Sequence, residues 1–207
     1  MVKFKGRQLI RFDVVIPTTF HLFRVANKYE VIRSEKETME DQSFAYLCRE
    51  GDIEAVETAI DNGADVNEED YVGARTGLMW ALLESHNDVV EVLLQHPEID
   101  VNKVDFCGQG APHFAVARDN EEGLELLLAA EHGVLTSINY RDDWGLTPIM
   151  RAVLCNAVNC FHLLLKIPQV DLHTRDDQQR TPEEVRRYVQ SWNSLTFLYE
   201  NLQHEFI

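Results

Sequence analysis

The sequence predicts an all-α fold, a solenoid of stacked antiparallel helix pairs with protruding turn-rich loops. A small turn, GADVN at 63–67, is copied as EIDVN at 98–102 and more loosely as TSINY at 136–140 and QVDLH at 169–173. Copies at a period in the thirties are the signature of a repeat protein. Two apolar segments follow each of the first three copies. Each segment is too short to be stable as an isolated helix.

The stretches between these turns share one layout. A turn residue begins a short apolar helix, a polar break follows, and a second helix ends in a Leu-rich triplet. The three clearest stretches are 76–96, 110–130 and 147–167. Because neither helix of a pair is stable alone, neighbouring copies must cover each other's apolar faces.

The start of one helix can be predicted in detail. Thr147 precedes Pro148, and Thr is a common N-cap because its hydroxyl accepts a hydrogen bond from a first-turn N–H. Proline is favoured at the first helical position. We therefore predict a helix that begins at Pro148 and is capped by the Thr147 hydroxyl.

Short stretches that begin with Asp and reach Gly separate the copies. They are DYVG at 70–73, DFCG at 105–108 and DWG at 143–145. Asp and Gly are turn-forming residues, so these stretches are predicted to be protruding hairpin-like loops.

On these residues the sequence resembles the ankyrin-repeat family, whose unit is a β-turn and two antiparallel helices of about 33 residues. The resemblance covers residues 42–202 and implies five units, the first and last being caps. The units are 42–69, 70–104, 105–141, 142–175 and 176–202. A basic leader at 1–41 and a tail at 203–207 lie outside them.

The third unit departs from the family pattern. Its residues 110–113, GAPH, keep only the His of the family's T-P-L-H motif, and the resemblance implies that the imidazole of His113 hydrogen-bonds to backbone. Gly123 lies within a predicted helix, where glycine costs about 1 kcal/mol relative to alanine. We therefore predict that this unit is the least stable.

Charge and composition exclude several classes of function. Residues 1–40 carry a net charge of +3 and residues 41–207 a net charge of −19, which argues against nucleic-acid binding. No apolar run approaches the ~18 residues of a membrane span, and no secretory signal is evident. The four cysteines are therefore expected to be free thiols in a cytoplasmic or nuclear protein, which we expect to be monomeric.

The sequence contains no pattern that supports catalysis. No nucleophile elbow, phosphate-binding loop or metalloprotease motif occurs, so we predict that the protein is not an enzyme and needs no cofactor. Cys155, Cys160 and His162 are close in sequence, but their spacing does not place three ligands on one helix face. We predict no metal site. His86 is predicted to have a structural role in an interhelix turn.

The predicted function is that of a protein–protein interaction module. Aromatic and acidic residues on the loops are expected to bind a basic segment of another protein, together with the concave face of the solenoid. The predicted contact residues are Tyr71, Phe106, Trp144, Glu69, Asp70, Asp105, Asp143 and Asp177.

The alternative is a targeting subunit that recruits substrate to an enzyme such as a phosphatase or a ubiquitin ligase. The leader bears on this alternative, because MVKF at 1–4 is similar to a short docking motif of ankyrin-containing phosphatase targeting subunits. A helix that caps the first repeat is the other interpretation of the leader.

One modification is also predicted. Residues 94–102 match a Leu-x5-Asp-Val-Asn pattern that resembles substrates of the ankyrin asparaginyl hydroxylase, with Asn102 as the acceptor. Asn is favoured in such a turn for its backbone hydrogen bonding as well.

Overall fold

A computed structural model of the chain describes residues 43–130 and 138–189. All of them belong to the second of two units into which the chain divides, residues 41–207. The predicted leader with its docking motif and capping helix, the last part of the fifth repeat unit and the tail lie outside the described residues.

The described residues form helix pairs joined by turns, and the predicted all-α repeat fold is confirmed. The helices are α1 (Phe44–Glu50), α2 (Ile53–Asp61), α3 (Gly77–Glu84), α4 (Asn87–Gln95), α5 (Ala111–Ala117), α6 (Glu121–Ala129), α7 (Pro148–Leu154) and α8 (Val158–Leu165). A ninth helical stretch, α9, occupies residues 182–189.

The helices stack in two layers. In one layer, the first helix of each pair contacts the first helix of the next pair, in the order α1, α3, α5 and α7. In the other layer, the second helices make the corresponding contacts, in the order α2, α4, α6 and α8. Apolar side chains from both layers fill the space between them, and Leu82, Leu93, Leu124, Leu127 and Leu164 are fully buried. Each pair is therefore stabilised by burial against its neighbours rather than by its own helix propensity.

Side-chain caps fix several helix starts. Ser43 accepts a hydrogen bond from the Tyr46 N–H at 3.2 Å, and Asp52 accepts one from the Ala55 N–H at 3.1 Å. Such a cap is worth ~1 kcal/mol because it satisfies an N–H that has no intrahelical acceptor.

The predicted cap at Thr147 is wrong, although Pro148 does begin α7. The Thr147 hydroxyl is fully buried and has no hydrogen-bond partner among the described residues. The helix start is fixed instead by the proline at the first helical position and by the Arg151 N–H, which donates to the Thr147 carbonyl at 2.9 Å.

The copied turn has a structural role, because its asparagine connects consecutive repeats. Asn67 Nδ2 donates to the Glu98 carbonyl at 2.7 Å, and its Oδ1 accepts from the Asp100 N–H at 2.8 Å. Asn139 makes the same two bonds, at the same distances, to Gln169 and Asp171. The amide is suited to this role because it both donates and accepts.

The sequence predicts that Gly123 weakens its helix. In the structure this glycine has a packing role that helix propensity does not show. It lies in the first turn of α6, and a Cβ on it would come within 2.5 Å of Asn120 Nδ2 and 2.9 Å of Leu82 Cδ2. The glycine therefore allows the α6 start to approach the preceding repeat closely.

We expect Gly123→Ala to lower the free energy of unfolding by about 1–2 kcal/mol, because the clash outweighs the better helix propensity of alanine. Urea denaturation of the two proteins measures this difference. A variant that is more stable by about 1 kcal/mol, as propensity alone predicts, would show that the contact can relax.

Among residues 43–130 and 138–189, no helix has the length and apolar character needed to cross a bilayer.

Candidate protein-binding surface

The predicted loops are short hairpins that are bonded to one another. The Phe106 N–H donates to the Gly73 carbonyl at 2.7 Å, the Asp143 N–H to Cys107 at 2.9 Å and the Asp177 N–H to Trp144 at 3.2 Å. These bonds connect four consecutive hairpins backbone to backbone. The row therefore presents its outermost side chains on a fixed frame.

We define the hairpin tips as the four residues that directly follow the first Asp of each hairpin: Tyr71, Phe106, Asp143 and Asp177. Tyr71 is 60% exposed and Phe106 is 66% exposed, and both lie on adjacent, directly bonded hairpins. Large aromatic side chains with so much exposed surface are typical of binding sites. The structure thus exposes two of the three predicted aromatic residues on adjacent hairpins.

Trp144 does not belong to this exposed set, and its predicted position at a loop tip is wrong. It lies one residue later in its hairpin, where the second hairpin has Cys107. Its side chain is half-buried against a small apolar cluster formed by Leu146, Met150 and Val185. Trp144 therefore stabilises the junction between the fourth repeat and the helix that follows.

The first Asp of each hairpin is a structural residue. Asp105 is only 5% exposed, and its Oδ1 accepts from the N–H groups of Cys107 at 2.8 Å and Gln109 at 2.9 Å. Burial raises the pKa of Asp105 above its ordinary value, against the opposing effects of those bonds and of Arg75. The prediction that Asp105 contacts a partner is therefore wrong, because its carboxylate faces inward.

Asp70 has the same structural role with partial burial. Its Oδ1 accepts from the Gly73 N–H at 2.6 Å, and its Oδ2 accepts from the indole Nε1 of Trp80 at 2.8 Å. Both oxygens are thus used within the first hairpin and its helix, and Asp70 also falls outside the exposed surface.

Three of the predicted acidic residues are exposed: Glu69, Asp143 and Asp177. Glu69 pairs with Lys103, and Asp177 pairs with Arg141 at 2.9 Å. Ion pairs this exposed contribute little to stability, so a partner's cation can replace the internal one at small cost. The hairpin tips are therefore aromatic on the first two hairpins and acidic on the next two.

A second group of side chains, which the sequence did not single out, lies beside the first two hairpins. The guanidinium carbons of Arg49 and Arg75 lie 4.9 Å and 4.8 Å from the ring centroid of Trp80. Arg75 also lies 5.3 Å from the ring of Phe114 in the next repeat. We call Arg49, Trp80 and Arg75 the Arg–Trp cluster.

The two histidines predicted to be structural make backbone contacts. His113 is fully buried; its Nδ1 accepts from the Gly110 N–H at 3.2 Å, and its Nε2 lies 3.1 Å from the Leu146 carbonyl in the next repeat. Burial lowers its pKa from 6.5 to about 4, so the ring is neutral and Nε2 carries the proton. His86 Nε2 lies 3.0 Å from the carbonyl of Arg49 in the preceding repeat.

The cysteine–histidine segment is not arranged as a ligand set. Cys160 is buried in the core, whereas Cys155 and His162 are exposed. Across the described residues, no group of three or more His, Cys, Asp or Glu side chains is placed to hold a metal ion.

Asn102 occupies the position of Asn67 and Asn139 and is half-buried. Its backbone N–H donates to Asp100 Oδ1 at 3.0 Å, as the Asn67 N–H does to Asp65. Hydroxylation of Asn102 stays a prediction.

Comparison with known proteins agrees with the repeat architecture. The family described as ankyrin repeats (3 copies) matches residues 32–105 and 98–176. The ankyrin repeat protein FPV031 of Fowlpox virus (strain NVSL) is 28% identical over 156 residues, which cover 72% of this chain and 44% of that protein.

Two plant relatives have names that state an enzymatic activity. The E3 ubiquitin-protein ligase XBAT33 of Arabidopsis thaliana is 30% identical over 146 residues, 59% of this chain and 28% of that protein. Serine/threonine-protein kinase 12 of Arabidopsis thaliana is 39% identical over 177 residues, 80% of this chain and 29% of that protein. The chain thus spans less than half the length of each of these three relatives. With the family matched over most of its length, the chain belongs to the ankyrin-repeat family.

Proposed function

We propose that this ankyrin-repeat chain is a non-enzymatic adaptor that binds a basic segment of another protein along its hairpin tips. Ankyrin repeats are in general a protein–protein interaction module. The observation that carries the finer proposal is the exposure of two aromatic side chains, Tyr71 and Phe106, on adjacent hairpins that are bonded to each other.

Tyr71 and Phe106 are suited to anchor a partner. A hot-spot aromatic residue commonly costs ~2 kcal/mol or more of binding free energy when it is truncated. The Phe106 N–H bond to the Gly73 carbonyl fixes the two hairpins relative to each other before binding, which lowers the entropic cost of association.

The charge around the hairpin tips favours a basic partner. Glu69 lies at the base of the first hairpin, and Asp143 and Asp177 form the third and fourth tips. Residues 41–207 carry a net charge of −19, and a field of that sign accelerates encounter with a cationic segment and repels acidic ones. Binding should therefore weaken as the salt concentration rises.

A second candidate function is suggested by the name of one relative. XBAT33 is named as a ubiquitin ligase, and the chain matches 28% of its length. A protein that recruits substrate to such an enzyme would use the same hairpin tips for the substrate.

The proposal is tested by comparing the proteins retained by the full chain and by a Tyr71→Ala/Phe106→Ala variant. We expect at least one basic-segment partner to be retained by the wild type and to lose about tenfold or more in affinity for the variant, since two anchors are removed. Because both side chains are mainly exposed, the melting temperature should change little.

The matched control is Val158→Ala/Leu165→Ala. These residues on α8 are 50% and 45% exposed and lie in the second-helix layer, away from the hairpin tips. Retention of every partner by the tip variant, or equal loss with the control, would reject the proposed surface.

A further inference from the structure

We propose that the Arg–Trp cluster is a second binding site, which holds an oxyanion, carboxylate or phosphoryl, carried by a side chain of the bound protein. This site rests on the proposed function and extends it: the bound segment, which is otherwise basic, must also carry one acidic or phosphorylated side chain. It lies on different residues from the hairpin tips and is tested independently of them.

The first argument is that the two arginines have hydrogen-bond donors to spare. Among the described residues, no acceptor is bonded to the Arg49 guanidinium. Arg75 has its Nε 3.7 Å from Asp105 Oδ2, beyond hydrogen-bond distance, and that Nε has no hydrogen-bond acceptor within the described part of the chain. Both side chains are only partly exposed.

Another arginine shows what a structural guanidinium looks like in this protein. Arg151 Nη1 donates to Asp142 Oδ2 at 3.2 Å. With the Gln109 amide oriented so that its oxygen faces the arginine, Arg151 also donates to Gln109 at 2.8 Å and 3.2 Å. Arg151 is thus hydrogen-bonded to its own hairpin and to the preceding one, whereas Arg49 stacks on Trp80 and Arg75 stacks on Trp80 beside its 3.7 Å ion pair with Asp105.

The second argument is that the cluster is ordered in advance. Trp80 Nε1 donates to Asp70 Oδ2 at 2.8 Å, which fixes the indole, and both guanidinium groups are attracted to its face. A guanidinium that stacks through its face leaves its edge N–H groups available for the two oxygens of a carboxylate or a phosphoryl group.

The third argument is that the neighbouring carboxylates pair with only one of the two arginines within the described residues: Arg75 Nε lies 3.7 Å from Asp105 Oδ2. Asp70 directs one oxygen to the backbone N–H of Gly73 and the other to Trp80. Asp105 directs its Oδ1 to the backbone N–H groups of Cys107 and Gln109. Arg49 has no carboxylate partner among the described residues, and its charge favours an anion from outside.

The test uses the full chain labelled with ¹⁵N and follows the indole N–H signal of Trp80, assigned with a Trp80→Phe variant. Three otherwise identical Gly/Ser peptides are added at constant ionic strength, with one central phosphoserine, glutamate or glutamine. We expect a saturable shift with an oxyanion peptide and none with the glutamine peptide. The peptide that saturates at the lower concentration identifies the preferred oxyanion.

Arg49→Gln should weaken this binding at least about tenfold, since a charge-assisted hydrogen bond is lost, while Arg118→Gln should leave it unchanged. Arg118 is the matched control because it is an exposed arginine at the end of α5. The absence of any saturable shift, an equal shift with the glutamine peptide, or equal sensitivity to both substitutions would overturn the site. None of these outcomes bears on Tyr71 and Phe106, so failure here is separable from failure of the proposed function.

Discussion

Replacing His113 by alanine should lower the free energy of unfolding at pH 7 by about 3 kcal/mol. The substitution removes a fully buried side chain and its contact with the Leu146 carbonyl, which keeps its bond from the Asp142 N–H, and it leaves the Gly110 N–H without its acceptor. A cavity of this kind and a buried N–H group left unpaired each contribute on the order of 1–3 kcal/mol. Urea denaturation followed by circular dichroism measures the loss.

The stabilisation by His113 should depend on pH in a defined direction. Burial lowers the pKa of His113 from 6.5 to about 4. Between these values the unfolded chain binds a proton that the folded protein does not, so stability falls as the pH is lowered from 6.5 towards 4. At ~1.4 kcal/mol per pH unit, most of the difference between wild type and His113→Ala should disappear over this range.

The difference between the two proteins isolates the histidine. Burial raises the pKa of Asp105 and Asp142, so their protonation adds stability as the pH falls and would mask part of the histidine effect if only the wild type were measured. Both proteins contain these aspartates, so their effect cancels in the difference. A constant gap between pH 7 and pH 4.5 would show that His113 is not held neutral by burial.

Asn120→Ala should be equally damaging, with a loss of about 3 kcal/mol. Asn120 Oδ1 accepts from the Gly123 N–H at 2.9 Å and caps α6. Its Nδ2 donates to the Leu82 carbonyl at 3.2 Å and to Asn87 Oδ1 at 2.9 Å in the preceding repeat. The substitution thus removes a helix cap and both side-chain bonds to the preceding repeat, and the Leu82 carbonyl keeps only the long bond from the Ser85 N–H at 3.4 Å.

Asn62→Ala is the control for Asn120→Ala, because Asn62 is exposed at the end of α2 and should change stability by less than about 0.5 kcal/mol. Asn120→Asp separates the two roles: it keeps the cap acceptor but places a carboxylate against the Leu82 carbonyl. If the aspartate variant were as stable as the wild type, the bonds between repeats would contribute nothing.

The helix pairs and the positions of the hairpins could be predicted from the sequence because each repeats several times. The period of the apolar residues, the turn residues and the spacing of the copies can all be read from short stretches of sequence. Because the chain contains several copies, these features can be recognised by comparing one copy with another. The predicted role of His113 also depended on a recurring position, and its backbone bonds agree with it.

The bonds between repeats could not be predicted in this way. Asn120 and Leu82 are 38 residues apart, and nothing in either local sequence indicates that they touch. Gly123 appeared to be a weak point for the same reason, since helix propensity does not include the Leu82 side chain that a Cβ would meet.

Trp144 was misplaced by one residue because two aspartates precede it. If Asp143 were the first residue of the hairpin, Trp144 would be its tip. In the structure the first residue is Asp142, whose N–H donates to the Leu146 carbonyl at 3.0 Å. The signal was available: Gly73, Gly108 and Gly145 each follow the first Asp of their hairpin by three residues. The same count places Asp105 at the inward-facing base of its hairpin.

The most direct test of the proposed surface is photo-crosslinking in cells, with a benzophenone amino acid placed in turn at positions 71, 106 and 158. We expect positions 71 and 106 to crosslink to the same partner through peptides rich in Lys and Arg, and position 158, exposed on α8, to give no such product. Crosslinks to one partner from position 158 alone, or partner peptides that are acidic at positions 71 and 106, would contradict binding at the hairpin tips.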